Sequence, residues 1–182
     1  GWLVRTTVQS QRLSEMRSFA QWARSRGMEP GGRVVSQRRR APTALELRQL
    51  RGGSRAGDVL EVVRLRLLNR RVVMLERTAY PAWIAPMIEA LSPEESSVVG
   101  ALEEHHGVRM VHGEHSIDAI AASSEDARLR GVRRSSPLLR VNRVSYAADG
   151  RAIEAGDDRY LADTMSFQVQ ASLQGTSLTR QA

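Results

Sequence analysis

The sequence predicts an α+β domain, a central antiparallel sheet with helices packed on it. Three observations lead there. Apolar runs separated by turn residues pair into two β-hairpins, short helical stretches fall between those hairpins, and a helix-plus-hairpin unit occurs twice. Ala41-Pro42-Thr43 through Arg48 and Leu50-Arg51-Gly52 matches Ala122-Ser123-Ser124 through Arg128 and Leu129-Arg130-Gly131, one residue shorter. Each copy is followed by an apolar strand with arginine near its middle (Leu60 to Leu67; Leu139 to Tyr146), a turn, and a return strand carrying a glutamate (Glu76; Glu154). One hairpin is marginal in water, whereas two joined hairpins form a sheet with a face to bury. Helices grouped between hairpins favour this arrangement over a parallel, doubly wound one.

The elements follow in order. Residues 1–9 lack a period and read as linker. Leu13, Met16, Phe19, Ala20 and Ala23 recur at three- and four-residue steps, predicting a helix over about 10–26 that stops at Gly27. Arg33 to Arg40 reads as a strand with an arginine-rich exposed face. Pro42 and Thr43 open a short helix ending near Gly52. Asp58 to Arg77 is a hairpin about Asn69-Arg70-Arg71. Pro81 and Pro86 bound a loop and turn. Ser92 as N-cap, Pro93 at the first position and Glu94-Glu95 predict a helix reaching His106, capped by Gly107. Val108 to Ala121 is a long strand, and Ser124-Glu125-Asp126 begins a helix ending at Gly131. Pro137 to Tyr146 and Arg151 to Tyr160 form a second hairpin about Asp149-Gly150. Met165 to Ala171 is a last strand before a polar tail over 173–182.

With 182 residues, 41% apolar and 26% charged, the chain is long enough for one domain with its own core. The absence of cysteine excludes disulfides, thiolate zinc sites and thiol nucleophiles. No run approaches the roughly 18 apolar residues of a membrane helix, and no signal-peptide core is present, so a cytoplasmic setting is expected. The first residue is Gly1, which suggests a piece of a longer product.

Net charge is +7, and all 27 basic side chains are arginine. Residues 1–70 carry 15 arginines against 5 acids, and residues 71–182 carry 12 against 15. A basic half can bind phosphate or be a solvated surface. With only 4% aromatic residues there is no stacking platform for single strands.

Arg64 and Arg66, two apart on a strand, share one face with Val62. Two guanidinium groups on a largely buried face need an anion, either a bound carboxylate or phosphate or an internal acid such as Glu76. A two-residue loop at Asn69-Arg70 pairs Val63 with Glu76. A three-residue loop pairs Arg64 with Glu76 directly. Spacing leaves ligand site and structural ion pair equally open. His112 and His115 fall on opposite strand faces and His105 and His106 diverge at a helix end, so they read as surface and terminal residues rather than metal ligands. There is no nucleophile elbow, Gly-rich phosphate loop or distinctive carboxylate pair, hence no catalytic or cofactor signature. Ser97 and Tyr160 alone read as a helix-surface hydroxyl and a strand-end aromatic.

In this order the chain resembles the effector-binding (UTRA) domain of GntR-type bacterial transcription regulators of the HutC subfamily, over about residues 12–170. The resemblance rests on Ser18-Phe19, Arg26-Gly27-Met28-Glu29-Pro30, Arg64-Leu65-Arg66 and Leu75-Glu76-Arg77. It continues through Glu103-Glu104, Gly107-Val108, Ala121 to Ala127, Gly131 and Ser136-Pro137-Leu138-Leu139, and ends with Tyr146, Asp149-Gly150-Arg151, Glu154 and Tyr160. It implies a chorismate-lyase-like fold without catalysis, a small-metabolite effector, a homodimer, and operator DNA bound by a winged helix-turn-helix preceding a linker at 1–11. The family's phosphate-site positions fall here on Phe19, Arg64, Arg66 and Ser97. Glu76, Glu154 and Tyr160 match residues facing the rest of the ligand. Three departures make the pocket less polar: Ala20 for a hydroxyl residue, Val99 for a tyrosine and Leu161 for an arginine. The resemblance thus implies an anionic effector, either a sugar phosphate or an organic acid. The rival readings are a lyase acting on a chorismate-like anion and a stand-alone basic nucleic-acid-binding domain.

Overall fold

The computed structural model describes residues 9–12, 19–50 and 57–168. Its main sheet has six antiparallel strands, and chain order divides them into two halves. The first half is strand β2 (Pro30–Arg40), helix α2 (Ala44–Gln49) and hairpin β3–β4 (Val59–Leu68, Arg71–Tyr80). The second is β5 (Met110–Ala121), α5 (Ser124–Arg130) and hairpin β6–β7 (Pro137–Ala147, Ala152–Leu161). Spatial order is β2-β3-β4-β7-β6-β5, so the halves meet at β4 and β7. The repeated unit is therefore one strand longer than the sequence repeat, because β2 pairs with β3 and β5 with β6 across the short helices. Away from this sheet, β1 (Gln9–Arg12) pairs in parallel with β8 (Met165–Gln168).

Helices cover both faces. On one, α1 (Phe19–Ser25) packs Trp22 and Ala23 against Leu68, Met74, Val141 and Tyr160. On the same face α3 (Ala85–Glu89) and α4 (Val98–His106) bury Ile88, Val98 and Leu102 against Leu60, Val62 and Ile153. On the other, Leu50 beyond α2 joins Val59, Ala79, Val144 and Ala155, while Leu129 of α5 reaches Val63, Leu65 and Leu75. Both short helices start with a capping box, Thr43 with Glu46 and Ser123 with Asp126, which satisfies N–H groups that six- and seven-residue helices otherwise leave unpaired. Among the described residues no helix is long and apolar enough to cross a membrane.

Several boundaries differ from the sequence expectation. Residues 9–12 form a strand rather than the first helical turn, residues 13–18 lie outside the described residues, and the helix is described as Phe19–Ser25. The segment between Pro81 and Pro86 leads into the short α3. Helix α4 starts at Val98, capped by Ser97, not at Ser92. The Ser92 hydroxyl does accept the Glu94 N–H, but that turn stops at once. The Glu95 carboxylate accepts the Ser97 N–H, and the carbonyls of Glu95 and Ser96 turn toward Arg64 and Arg66. The end of α4 is as expected, with Gly107 left-handed at φ 64°. The expected stop near Gly52, the tail over 173–182 and residues 1–8 of the linker expected over 1–11 lie outside the described residues, while residues 9–11 belong to β1.

Candidate functional site

The first hairpin resolves the register question by combining both loop options. Asn69 and Arg70 form a two-residue turn with φ of 46° and 68°, as a type I′ hairpin requires. Asn69 is fixed there because its side chain accepts the Glu29 N–H while its own N–H donates to the Glu29 carbonyl. A bulge at Val73 then shifts the ladder by one residue, so Arg64 stands opposite Glu76 after all. Arg64, Arg66, Glu76 and Thr78 consequently share the face covered by α1, α3 and α4.

Both arginines are buried, at 4% and 5% exposure. Arg66 donates from Nε to Glu76 at 2.6 Å and from Nη1 to the Ser96 carbonyl at 3.1 Å, and its guanidinium stands 5.9 Å from the Phe19 ring. Arg64 is held far less. It donates one long hydrogen bond, 3.4 Å from Nη1 to the Glu95 carbonyl, and its buried Nε has no hydrogen-bond partner. Gly32 of β2 lies against this pair: a Cβ there would meet Arg66 Nη1 at 3.3 Å and Arg64 Cδ at 3.6 Å. The Ser97 hydroxyl accepts the Gly100 N–H, fixing the start of α4 beside the two guanidiniums.

The second half contributes a residue that the sequence reading did not assign to the site. Arg143 on β6 lies across β7 and gathers the acids of both hairpins. It donates to Glu154, to Asp158 at 2.7 Å, and to Glu76 and Thr78 at 3.1 and 3.0 Å. The Ser145 hydroxyl adds a bond to Glu154. Arg143 lies flat because the residue opposite it is Gly156, where a Cβ would come within 2.7 Å of the guanidinium carbon. Its only sequence signal was the repeat, which places an arginine in the middle of the same strand in each copy.

The ionisation of this cluster follows from its geometry. Burial pushes the Glu76 carboxyl up, but the guanidiniums of Arg66 and Arg143 outweigh it and hold the group at about 2. Asp158 goes the other way. Burial, with Glu76 and Glu154 nearby, raises it to about 7 despite Arg143. Burial also raises Tyr160, next to Asp158, and Tyr80, next to Glu154, far above the usual phenol range. Hence Glu76 is ionised at neutral pH, and Asp158 takes up a proton near neutrality.

Phe19, Arg64, Arg66, Glu76 and Ser97 thus come together, while Arg143 links them to Glu154 and Tyr160 follows on the same face. Ala20, one of the three apolar departures, is fully buried. The opposite face holds a cavity of about 700 Å³, but its charges are matched within the chain. Arg38 and Arg40 bind Glu61, Arg40 also binds Glu46, and Arg77 binds Glu125. Among the described residues no group of three histidines or acids is placed to hold a metal ion.

Known proteins share this fold. The UTRA domain matches residues 25–166. The HTH-type transcriptional repressor NagR of Bacillus subtilis is 26% identical over 167 residues, covering 92% of this chain and 68% of NagR. The HTH-type transcriptional repressor PhnF of Mycolicibacterium smegmatis is 26% identical over 152 residues, covering 84% of this chain and 62% of PhnF. The crystal structure of the PhnF effector domain superposes with a TM-score of 0.81 at 26% identity, covering 90% of this chain and 100% of that domain. The ligand-binding domain of a GntR-family regulator from Bordetella bronchiseptica gives 0.69 at 28% identity, covering 80% and 90%. With most of its length matched and its antiparallel sheet superposing on these effector domains, the chain belongs to the UTRA domain family.

Proposed function

We propose that this domain is the sensor of a cytoplasmic, GntR-type transcriptional repressor and that it binds a small anionic metabolite at Arg64 and Arg66. Phe19 and Ser97 border the anion, and Glu76, Glu154 and Tyr160 face the rest of the effector. The observation that carries this reading is Arg64: a buried guanidinium with one long bond and an unpartnered Nε lacks an anion. Leaving such a group unsatisfied costs about 1–3 kcal/mol, which an incoming carboxylate or phosphate recovers. Family membership favours a sensor over a lyase or a stand-alone nucleic-acid binder. The anion competes with the carbonyls of Glu95 and Ser96, so its arrival pushes on the start of α4. That displacement, passed through a homodimer, changes the spacing of two operator-binding heads outside this sequence.

The test is calorimetric titration of the 182-residue chain with inorganic phosphate and a panel of small carboxylates, before and after Arg64→Ala. The wild-type chain is expected to bind at least one of these anions, and Arg64→Ala to weaken that binding about 100-fold, the loss of a charge-assisted pair. Equal affinity in an intact fold removes Arg64 from the site.

A further inference from the structure

The two edges of the sheet differ in kind. The β2 edge carries Arg33, Arg38 and Arg39, all exposed, and a bulge at Val35. Charge and irregularity of that sort keep an edge from pairing with another strand. The β5 edge is twelve residues long and contains no arginine, lysine or proline. Its register with β6 runs unbroken from His112 to Ala121, and among the described residues no strand pairs with its outer side. Of its two acids, Asp118 is bound by Arg140 and Glu114 lies 3.9 Å from His112. Val111 and Ile117 are 48% and 37% exposed. Ile117 and Ala119 also form one wall of an apolar cavity of about 440 Å³, with Leu139, Met165 and Phe167.

We infer that two copies of this chain pair antiparallel along β5, joining two six-stranded sheets into one; this specifies the surface behind the dimer proposed above. A two-fold axis normal to a continuous sheet sets residues of like face opposite each other, so the register moves only in steps of two. With the axis at His115, the middle of the strand, His112 of each copy stands opposite Asp118 of the other. Gly113 stands opposite Ile117 and leaves room for its side chain. One step either way sets Glu114 against Glu114 or against Asp118, which like-charge repulsion disfavours. A twelve-residue strand spans about 40 Å. A strip of that length about 20 Å wide reaches the roughly 800 Å² per partner of a specific interface, so the pairing covers side chains on both flanks of the strand as well as its edge.

The cysteine-free chain allows a direct test. Residues opposite each other on antiparallel strands have Cα atoms about 4.5–5.5 Å apart, within disulfide range. His115→Cys is therefore expected to give a covalent dimer on mild oxidation, and Val35→Cys on the β2 edge is not. In sedimentation the wild-type chain runs as a dimer, and Ile117→Lys raises its dissociation constant at least 100-fold while its circular dichroism spectrum stays that of the folded chain. A monomeric wild type, an uncrosslinked His115→Cys, or an equally crosslinked Val35→Cys overturns the assignment. Anion binding at Arg64 is read independently by calorimetry, so the two readings fail separately.

Discussion

Arg64 and Arg143 hold corresponding places in the two halves, each in the middle of the first strand of its hairpin, yet they are opposites in partnership. Across from Arg64 stands Glu76, and that acid is bound by Arg66 and Arg143 instead. Across from Arg143 stands Gly156, which lets the guanidinium lie down and reach three carboxylates and a threonine. In the second half the glutamate sits two residues further along, opposite Ser145. One copy of the duplicated unit thus uses its arginine to tie the halves together. The other keeps its arginine nearly unpartnered at the same seam. The difference teaches that a repeat can divide its labour: internal neutralisation by Arg143 leaves the acids around Arg64 already matched, so they do not quench it.

This contrast breaks most sharply under paired substitution. Arg143→Met strands Glu76, Glu154 and Asp158 in a buried site and is expected to cost about 3–5 kcal/mol, as when one partner of a buried ion pair is removed. Arg64→Met removes a charge that almost nothing satisfies and is expected to stay within about 1 kcal/mol of the parent. Urea melts with a common m-value measure both, and equal losses at the two positions would erase the division of labour. A smaller effect comes from Gly156→Ala. The added methyl meets the Arg143 guanidinium at 2.7 Å, and displacing it is expected to cost about 1–3 kcal/mol. The same melts check it, and a neutral result would show that Arg143 has room to move.

How much of this was legible in the sequence follows from how local each cause is. The turns at Asn69-Arg70 and Asp149-Gly150 and the cap at Gly107 act over four or five residues, and they read correctly. The bulge at Val73 left no mark, because Val72-Val73-Met74-Leu75 is uniformly apolar and has no period to interrupt. Ser92-Pro93-Glu94-Glu95 is a good helix start locally and lost to distant partners, since the carbonyls of Glu95 and Ser96 face arginines some 30 residues earlier in the chain. Arg64 and Arg66 could be grouped because strand alternation puts them on one face, whereas the face of Glu76 depended on a register that spacing left open. Arg143 was missed because nothing in its neighbours says that Gly156, 13 residues on, would open the way to Glu76.

The finest test of the seam is its response to protons. The Asp158 carboxyl sits near 7 in the fold, against an unfolded value of about 3.9. A carboxyl raised on folding contributes stability that is full below about pH 4 and lost as pH rises through 7. Glu76, held near 2, contributes above about pH 4.5, and that share is lost as pH falls toward 2. Asp158→Asn keeps the shape but cannot ionise, so it is expected to flatten the stability profile between pH 4 and 7 and leave the acid limb in place. The same proton changes the charge at the proposed anion site. Protonating Asp158 removes one negative charge from beside Arg64, Arg66 and Arg143 and so leaves a positive surplus relative to the ionised state. Phosphate or carboxylate binding to the wild type is therefore expected to tighten as pH falls through 7, and in Asp158→Asn to lose that dependence. Calorimetry at pH 6 and 8 reads it, and a variant that keeps the wild-type pH dependence would mean that Asp158 stays ionised and the surplus never forms.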